Sequence, residues 1–395
     1  MIRSRLLTTA AARLGVLMLA VLATQAGINR AGSASIDSAG RVARDNAAGA
    51  WSLDPPIASS IAVQFSHGVR VVTYNIHSGL GPAFSLWQSR AAVERNLREI
   101  AGDILGSAPR GHAVDVVALN EVDFGSRRSG WIDEAAFVAD ELKQRSGEVY
   151  DIVRGQTWER NFPGREVRFG NALLVRLPIL AASECLLSAR TCDGAPSNDD
   201  LPSLRPTGLG RLVSEERGAI KVTVLAGGQP VDVVVTHLDA FSEDLRERQA
   251  THLLRRFIDP ARSTIVLGDL NAVDASLAGR RPYFRAERTV DILTSGSLAD
   301  ARTTYAAVHA PLSQDWATYP AEAPALPLDA VLASPDLVPE EMAVIGRGAS
   351  DHRGLAALLV RNAGVTAPLP PRAPAEAARD SLPRETPIAL HPGAG

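Results

Sequence analysis

The segment Thr264-Ile265-Val266-Leu267-Gly268-Asp269-Leu270-Asn271 constrains the fold of this chain more than any other. Its first four residues are apolar or β-branched, the composition of a buried strand. A carboxylate and an amide then leave the strand's C-terminal end together, where open α/β sheets bind their ligands. Such a pair suits a hydrated hard cation, or a phosphate oxygen with its attacking water. The same two residues could equally make an Asx-turn or cap the segment that follows.

Four further segments repeat the arrangement and favour a shared site. Val71 to Ile76 is a strand ending near Asn75, followed by the turn residues Ser78-Gly79. Val114 to Leu119 delivers Asn120-Glu121, and Val231 to Thr236 delivers His237. Ser350-Asp351-His352 precedes the apolar run Gly354 to Val360. Polar residues at the edges of several apolar strands are costly as core members and useful as one site. Each has an ordinary reading too: Glu121 as a solvated strand-end charge, His237 or His352 as a capped core histidine.

With 395 residues the chain can hold one large α/β domain plus tails. A net charge of −3 gives no global pull toward nucleic acid. Lys143 and Lys221 are the lysines, and arginine supplies the remaining positive charge. Arg3, Arg5 and Arg13 precede and lead into the apolar run Leu14 to Ala23, the pattern of an export signal. Cleavage is expected after Ala23 or Ala26, placing the signal at 1–26. The run is about half the ~20 residues needed to cross a bilayer, and an uncleaved anchor is the alternative.

Residues 27–66 read as a poorly ordered linker, 67–361 as the folded domain, and 362–395, rich in Pro and Ala, as a disordered tail. Helices are expected over Trp87–Leu105, Glu134–Arg145 and Asp244–Phe257, and strands over Asn171–Val175 and Ala219–Leu225. Ala181 to Gly218 reads as a long surface insertion of the kind that shapes substrate choice. It holds Cys185 and Cys192, which in an exported protein favour a disulfide contributing roughly 2.5 kcal/mol. Two unpaired thiols are the alternative.

The motifs TYNIHSG (73–79), LNEVD (119–123), GNALLVRLPI (170–179), VVVTHLD (233–239), VLGDLNA (266–272), LDAVLAS (328–334) and SDH (350–352) occur in this order. Together they make the region from Val69 to Arg361 resemble the endonuclease/exonuclease/phosphatase superfamily of metal-dependent phosphoesterases. Any one motif is weak, and the ordered set is strong. The resemblance implies an α/β fold, a four-layered α/β sandwich of two packed mixed sheets flanked by helices. The alternating pattern alone would equally fit a doubly wound sheet.

The resemblance also implies roles. Glu121 would hold Mg²⁺, or Mn²⁺, with Asn75 orienting the metal or phosphate and Asp351 as a metal-side carboxylate. His352 would be the general base or the phosphate-polarising group, partnered by Asp329. Asp269 would orient or deprotonate the attacking water, and Asn271 would donate to a non-bridging oxygen. His237 would donate to the phosphate or protonate the leaving group. Asn171, His77 and Arg168 are candidates for substrate contact. Where relatives often have Gln before the metal-binding Glu, this chain has Asn120, a shorter amide.

The activity so implied is an exported, Mg²⁺-dependent phosphoesterase acting on a phosphodiester, nucleic acid or lipid head group. A phosphomonoesterase on inositol-type phosphates and a silent binding module on the same scaffold are the alternatives. No basic stripe with interleaved aromatics favours a nuclease, and no exposed apolar run favours a phospholipid surface. The expected partner is the phosphate-ester substrate alone, met by a monomer.

Overall fold

The computed structural model describes residues 68–83, 85, 87–109, 112–162, 165–187, 216–273, 288–309 and 316–362, with two short backbone pairings, 35–36 with 42–43 and 191–192 with 195–196. The expected signal, linker and tail lie outside the described residues, as do most of the insertion and the side chain of Cys192.

Two six-stranded mixed sheets form among these residues. In the first, the strands are β1 (Val69–Asn75), β2 (Val116–Phe124), β3 (Asp151–Phe162), β4 (Arg165–Val175), β11 (Leu337–Ile345) and β12 (Gly354–Arg361), in the order β11-β12-β1-β2-β4-β3. In the second they are β5 (Ile179–Leu186), β6 (Gly218–Ala226), β7 (Gln229–His237), β8 (Thr264–Asp269), β9 (Ala299–Asp300) and β10 (Asp329–Ala333), in the order β9-β10-β8-β7-β6-β5. The helices are α1 (Arg90–Gly106), α2 (Glu134–Ser146), α3 (Glu243–Phe257), α4 (Arg288–Thr294) and α5 (Ala301–Val308).

Period-two alternation sorts the apolar residues into layers. Val71, Val116, Ala118 and Leu173 of the first sheet meet Ile220, Val222, Val233, Val235, Ile265 and Leu267 of the second in a common core. The alternate residues Val72, Tyr74, Val117, Leu119 and Leu174 face α1 and α2 through Leu97, Ile100, Ile104, Val138 and Leu142. On the other side Val234, Val266 and Leu332 face α3 and α4 through Leu253, Phe257, Val290 and Leu293. The strands are apolar on both faces because each sheet is covered twice. The result is the four-layered sandwich, and the doubly wound alternative is set aside.

Local chemistry fixes the helix ends. Ser89, with extended backbone, accepts from Ala92 N and starts α1 at Arg90. Trp87 therefore stays outside the helix and is 70% exposed, not part of its apolar face as the periodicity suggested. Asp133 caps α2, and Gly147 closes it in the left-handed conformation at φ 82°. The insertion also differs from expectation at its start, because β5 pairs antiparallel with β6 through Ser183, Glu184 and Cys185. It is an edge strand of half-exposed residues interrupted by Ser183 and Glu184, with no clean apolar alternation to mark it. No helix among the described residues is long and apolar enough to cross a membrane.

Topology brings the polar strand ends to one place. β1 runs parallel to β2 and β7 parallel to β8, so Asn75, Glu121, His237 and Asp269 leave at one end of the sandwich. β10 is antiparallel to β8 and β12 to β1, so their N-terminal starts, at Asp329 and just after His352, lie at that same end. Gly268 permits the closest approach there. At φ 144°, any Cβ on it would sit 1.9 Å from the carbonyl oxygen of Thr236. Gly268→Ala is expected to cost at least ~2 kcal/mol from strain and displacement of β7. Urea unfolding checks this; an unchanged midpoint would mean the two strands can part without penalty.

Candidate active site

Glu121 is aimed by a backbone irregularity. Along β2, Leu119 and Val122 both lie on the helix side with Asn120 between the sheets, a spacing of three that strict alternation does not allow. The extra residue is accommodated by a bulge between Leu119 and Val122 opposite β4, with Glu121 at φ 56°. Bulges of this kind re-aim a side chain beside a site. Here the carboxylate meets Asn75 Nδ2, which donates to Glu121 Oε1 at 3.0 Å and to Asp269 Oδ2 at 3.1 Å. Asn75 Oδ1 accepts from the backbone N–H of His77 at 3.0 Å. Asn75 thus ties a carboxylate of one sheet to a carboxylate of the other.

A second bridge lies directly beneath. Asn120 Nδ2 donates to Asn171 Oδ1 at 2.9 Å and to the Thr236 carbonyl at 3.0 Å, while Asn120 Oδ1 accepts from Asp269 N at 3.0 Å. Asn171 is buried, and its own Nδ2 reaches the Gly218 carbonyl at 3.4 Å. Its amide is committed between the sheets, so it supports the site floor and does not face a substrate as the sequence reading had it.

The other side of the cup is built on His352. Asp329 Oδ2 accepts from His352 Nδ1 at 2.9 Å, and Nε2 lies 3.6 Å from Asp269 Oδ2. Arg302, buried and bonded to Asp300, donates through Nη1 to the carbonyls of Pro327 and Asp329 and holds the start of β10. Ser350 Oγ donates to the Asn75 carbonyl at 2.7 Å and accepts from His352 N at 3.2 Å, fixing the SDH turn against β1. The Tyr319 ring leans on the imidazole with centroids 4.8 Å apart.

His237 Nδ1 is 3.0 Å from Arg217 Nη1, and its Nε2 is 3.0 Å from Asn271 Nδ2 and 3.6 Å from Asp269 Oδ2. Asn271 sits at φ 50°, with its N–H on Asp269 Oδ1 at 2.9 Å. At the rim, His77 Nδ1 lies 2.8 Å from the Gly81 carbonyl and 3.6 Å from Asp351 Oδ1. Arg168 lies on β4 opposite Phe124, half-buried. Cys185 lies on β5 opposite Ala219, in the same cross-strand row as Thr236 and Gly268.

Burial opposes charge throughout the cup, and neighbours decide the outcome. For His352, burial disfavours the imidazolium, but Asp329 and Asp269 outweigh it and raise its pKa to about 10. Asp269 is raised to about 6 by burial and by Asp329, against the pull of His352. Glu121, although buried, is held below the ordinary carboxylate range by surrounding imidazole charge and by the amide of Asn75. Burial raises Asp351. In this state the Nε2 of His352 carries a hydrogen and can donate.

The donor set suits a hard divalent ion. Asp269, Asp329 and His352 present ligand atoms within 4.8 Å of one another. Asp329 Oδ1 is buried without a hydrogen-bond partner. Such an orphaned oxygen is expensive unless something else meets it. His352 Nδ1, however, already serves Asp329, so carboxylate oxygens are what this group offers a hard ion, and Asn75 places the Glu121 carboxylate beside that of Asp269. Asn75 is occupied in holding two carboxylates and acts as their clamp.

A family model described as the Endonuclease/Exonuclease/phosphatase family matches residues 72–352. The chain belongs to that family. Its members are divalent-metal-dependent phosphoesterases and nucleases, and this chain is a phosphoric ester hydrolase of that type. Two solved structures at a TM-score of 0.50 share the fold. A family protein from Leptotrichia buccalis is 16% identical over 74% of this chain and 99% of its own, with a TM-score of 0.50. One from Bacteroides vulgatus is 15% identical over 74% and 99%, also at 0.50. One from Beutenbergia cavernae is 23% identical over 75% and 72%, at 0.49. No curated protein matches the chain.

Arg217, Ser350, Arg302 and Tyr319 escaped the sequence reading. Ser350 was within the SDH motif and could have been taken as its turn-forming hydroxyl. The arginines carry no local signal in a chain so rich in arginine.

The raised pKa of His352 carries a sign. Its folded value of about 10 exceeds the ordinary 6.5, so the imidazolium contributes stability that is fully present below pH 6.5 and lost as pH rises through about 10. In chelator-treated protein, the stability gap between wild type and Asp329→Asn should be widest near pH 6 and narrow toward pH 10. Denaturant titrations across that range test it; a gap independent of pH would contradict the pairing.

Proposed function

We propose that the protein is an exported, Mg²⁺-dependent phosphodiesterase, with water attacking phosphorus in line. The observation that carries this reading is the convergence of Asn75, Glu121, His237, Asp269, Asn271, Asp329 and His352 at one end of both sheets. The cup joins acidic oxygens for a cation to N–H donors for a phosphate. A surface-binding module that had lost the chemistry would have no use for a buried Asp–His pair or an orphaned carboxylate oxygen.

When bound, the divalent ion neutralises phosphoryl charge and stabilises the leaving oxygen. The chain's residues do the rest. Asp269, its pKa moved to about 6, is suited to orient and accept a proton from water near neutral pH. His352 donates from Nε2 to a non-bridging oxygen, its charge maintained by Asp329. His237 donates from the opposite wall, and Asn271 holds the loop between them. His77 and Asp351 at the rim, with Arg168 further out, are placed to meet the rest of the substrate.

Export is supported by the amino-terminal pattern of Arg3, Arg5 and Arg13 with Leu14 to Ala23 and by the close pair Cys185 and Cys192, which we read as a disulfide. A monomer suffices for the site so described. Nucleic acid and lipid head groups stay level as substrates, since the net charge of −3 favours neither.

Hydrolysis of bis(4-nitrophenyl) phosphate should require Mg²⁺ or Mn²⁺ and vanish with chelator. Glu121→Gln should weaken Mg²⁺ binding by calorimetry, whereas His352→Ala should retain binding and lose ~10²–10⁴ in turnover. Activity indifferent to chelator, or equal loss of binding in both variants, would refute this division. A panel of DNA, sphingomyelin, phosphoinositides and inositol phosphates then assigns the substrate.

A further inference from the structure

His237 is buried with a donor on each side of its ring. Arg217 Nη1 lies 3.0 Å from Nδ1, and Asn271 Nδ2 lies 3.0 Å from Nε2. A neutral imidazole has one acceptor nitrogen and one N–H, so it cannot accept from both. Charge decides between them. A guanidinium has donors only, and its charge-assisted hydrogen bond is about twice as strong as a neutral one. The Asn271 amide also has another acceptor, the Leu238 carbonyl at 3.1 Å. Nδ1 therefore accepts from Arg217, and the ring's hydrogen resides on Nε2, 3.6 Å from Asp269 Oδ2.

We propose that Arg217 is a positioning residue that locks His237 in the Nε2–H tautomer, making it a fixed hydrogen-bond donor toward the substrate's phosphoryl oxygen. This rests on the phosphoesterase reading above and assigns the task of one wall of that site. Adding a second proton would set an imidazolium against the guanidinium in a buried place. Burial first, and Arg217 second, accordingly hold the pKa of His237 well below 6.5. The two imidazoles of the cup thus have opposite partners. His352 has a carboxylate behind it, whereas His237 has a guanidinium.

Arg217 also sits where the 188–215 segment returns to the sheet, immediately before β6, with its carbonyl accepting from Leu187 N at 2.7 Å. Its side chain spans from that return point to the catalytic wall. The substitution series is Arg217→Met, which removes the donor, and Arg217→Lys, which keeps a charged one.

Long-range ¹H–¹⁵N spectra of ¹⁵N-histidine-labelled wild type should show the His237 ring with hydrogen on Nε2, with His237→Ala assigning the signal. Arg217→Met should shift that ring toward the Nδ1–H form and lower kcat on the aryl diester about 10–100-fold with little change in KM. Arg217→Lys should restore the wild-type spectrum and most of kcat. A wild-type ring protonated on Nδ1 would overturn the proposal whether or not any variant folds. So would an Arg217→Met ring still protonated on Nε2 with unchanged kcat. The spectra need no substrate, so a protein with the expected tautomer and no esterase activity would sink the functional reading and leave the Arg217 assignment standing.

Discussion

Two asparagines hold the cup together by crossing from sheet to sheet at its floor. Asn120 reaches from β2 to the Thr236 carbonyl and the Asp269 N–H, and Asn75 reaches from β1 to the Asp269 carboxylate. Elsewhere the two sheets meet through interchangeable aliphatic contacts such as Val71, Leu173, Val235 and Leu267. Apolar packing of that kind fixes density but tolerates sliding. Buried hydrogen bonds do not, because a slipped partner leaves a desolvated polar group unmet. The asparagines therefore set the relative placement of Glu121 on one sheet and Asp269 on the other.

The strain in the cup makes sense in that light. Glu121 and Asn271 both have left-handed backbone, and Gly268 has a conformation open only to glycine. Each lies within a residue or two of an asparagine bridge or of Asp269. Departures from ideal backbone persist where surrounding contacts over-determine them. The bulge at Glu121 is the clearest case, because strict alternation would send its carboxylate under α2 and away from the metal oxygens.

Much of this was legible in the sequence, for a physical reason. Strands buried on both faces write continuous apolar runs, so the polar residues ending them at Asn75, Glu121, His237 and Asp269 stood out. Asp329 emerged only through family resemblance, since a strand beginning with Asp has no local signature. The roles of Asn120 and Asn171 were harder to read. Both were seen as residues beside a site, and only the packing of one sheet on the other reveals them as cross-sheet bridges. β5 was lost because a half-exposed edge strand shows no clean alternation, and Trp87 was drawn into α1 because periodicity ignores the cap at Ser89. Arg217 lies next to a polar segment and follows no pattern at all. Its meaning depends on the ring it faces, which a linear string cannot show.

The measurement that tests the central claim most directly is the effect of Asn120→Ala on both unfolding free energy and Mg²⁺ affinity. Removing this side chain strands the Asp269 N–H and the Thr236 carbonyl in the interior, which should cost ~2–4 kcal/mol. It should also weaken Mg²⁺ binding about 10–100-fold although Asn120 touches no ion, because the carboxylates lose their mutual placement. A variant with wild-type stability and wild-type Mg²⁺ affinity would show that the sheets find their register without the bridge.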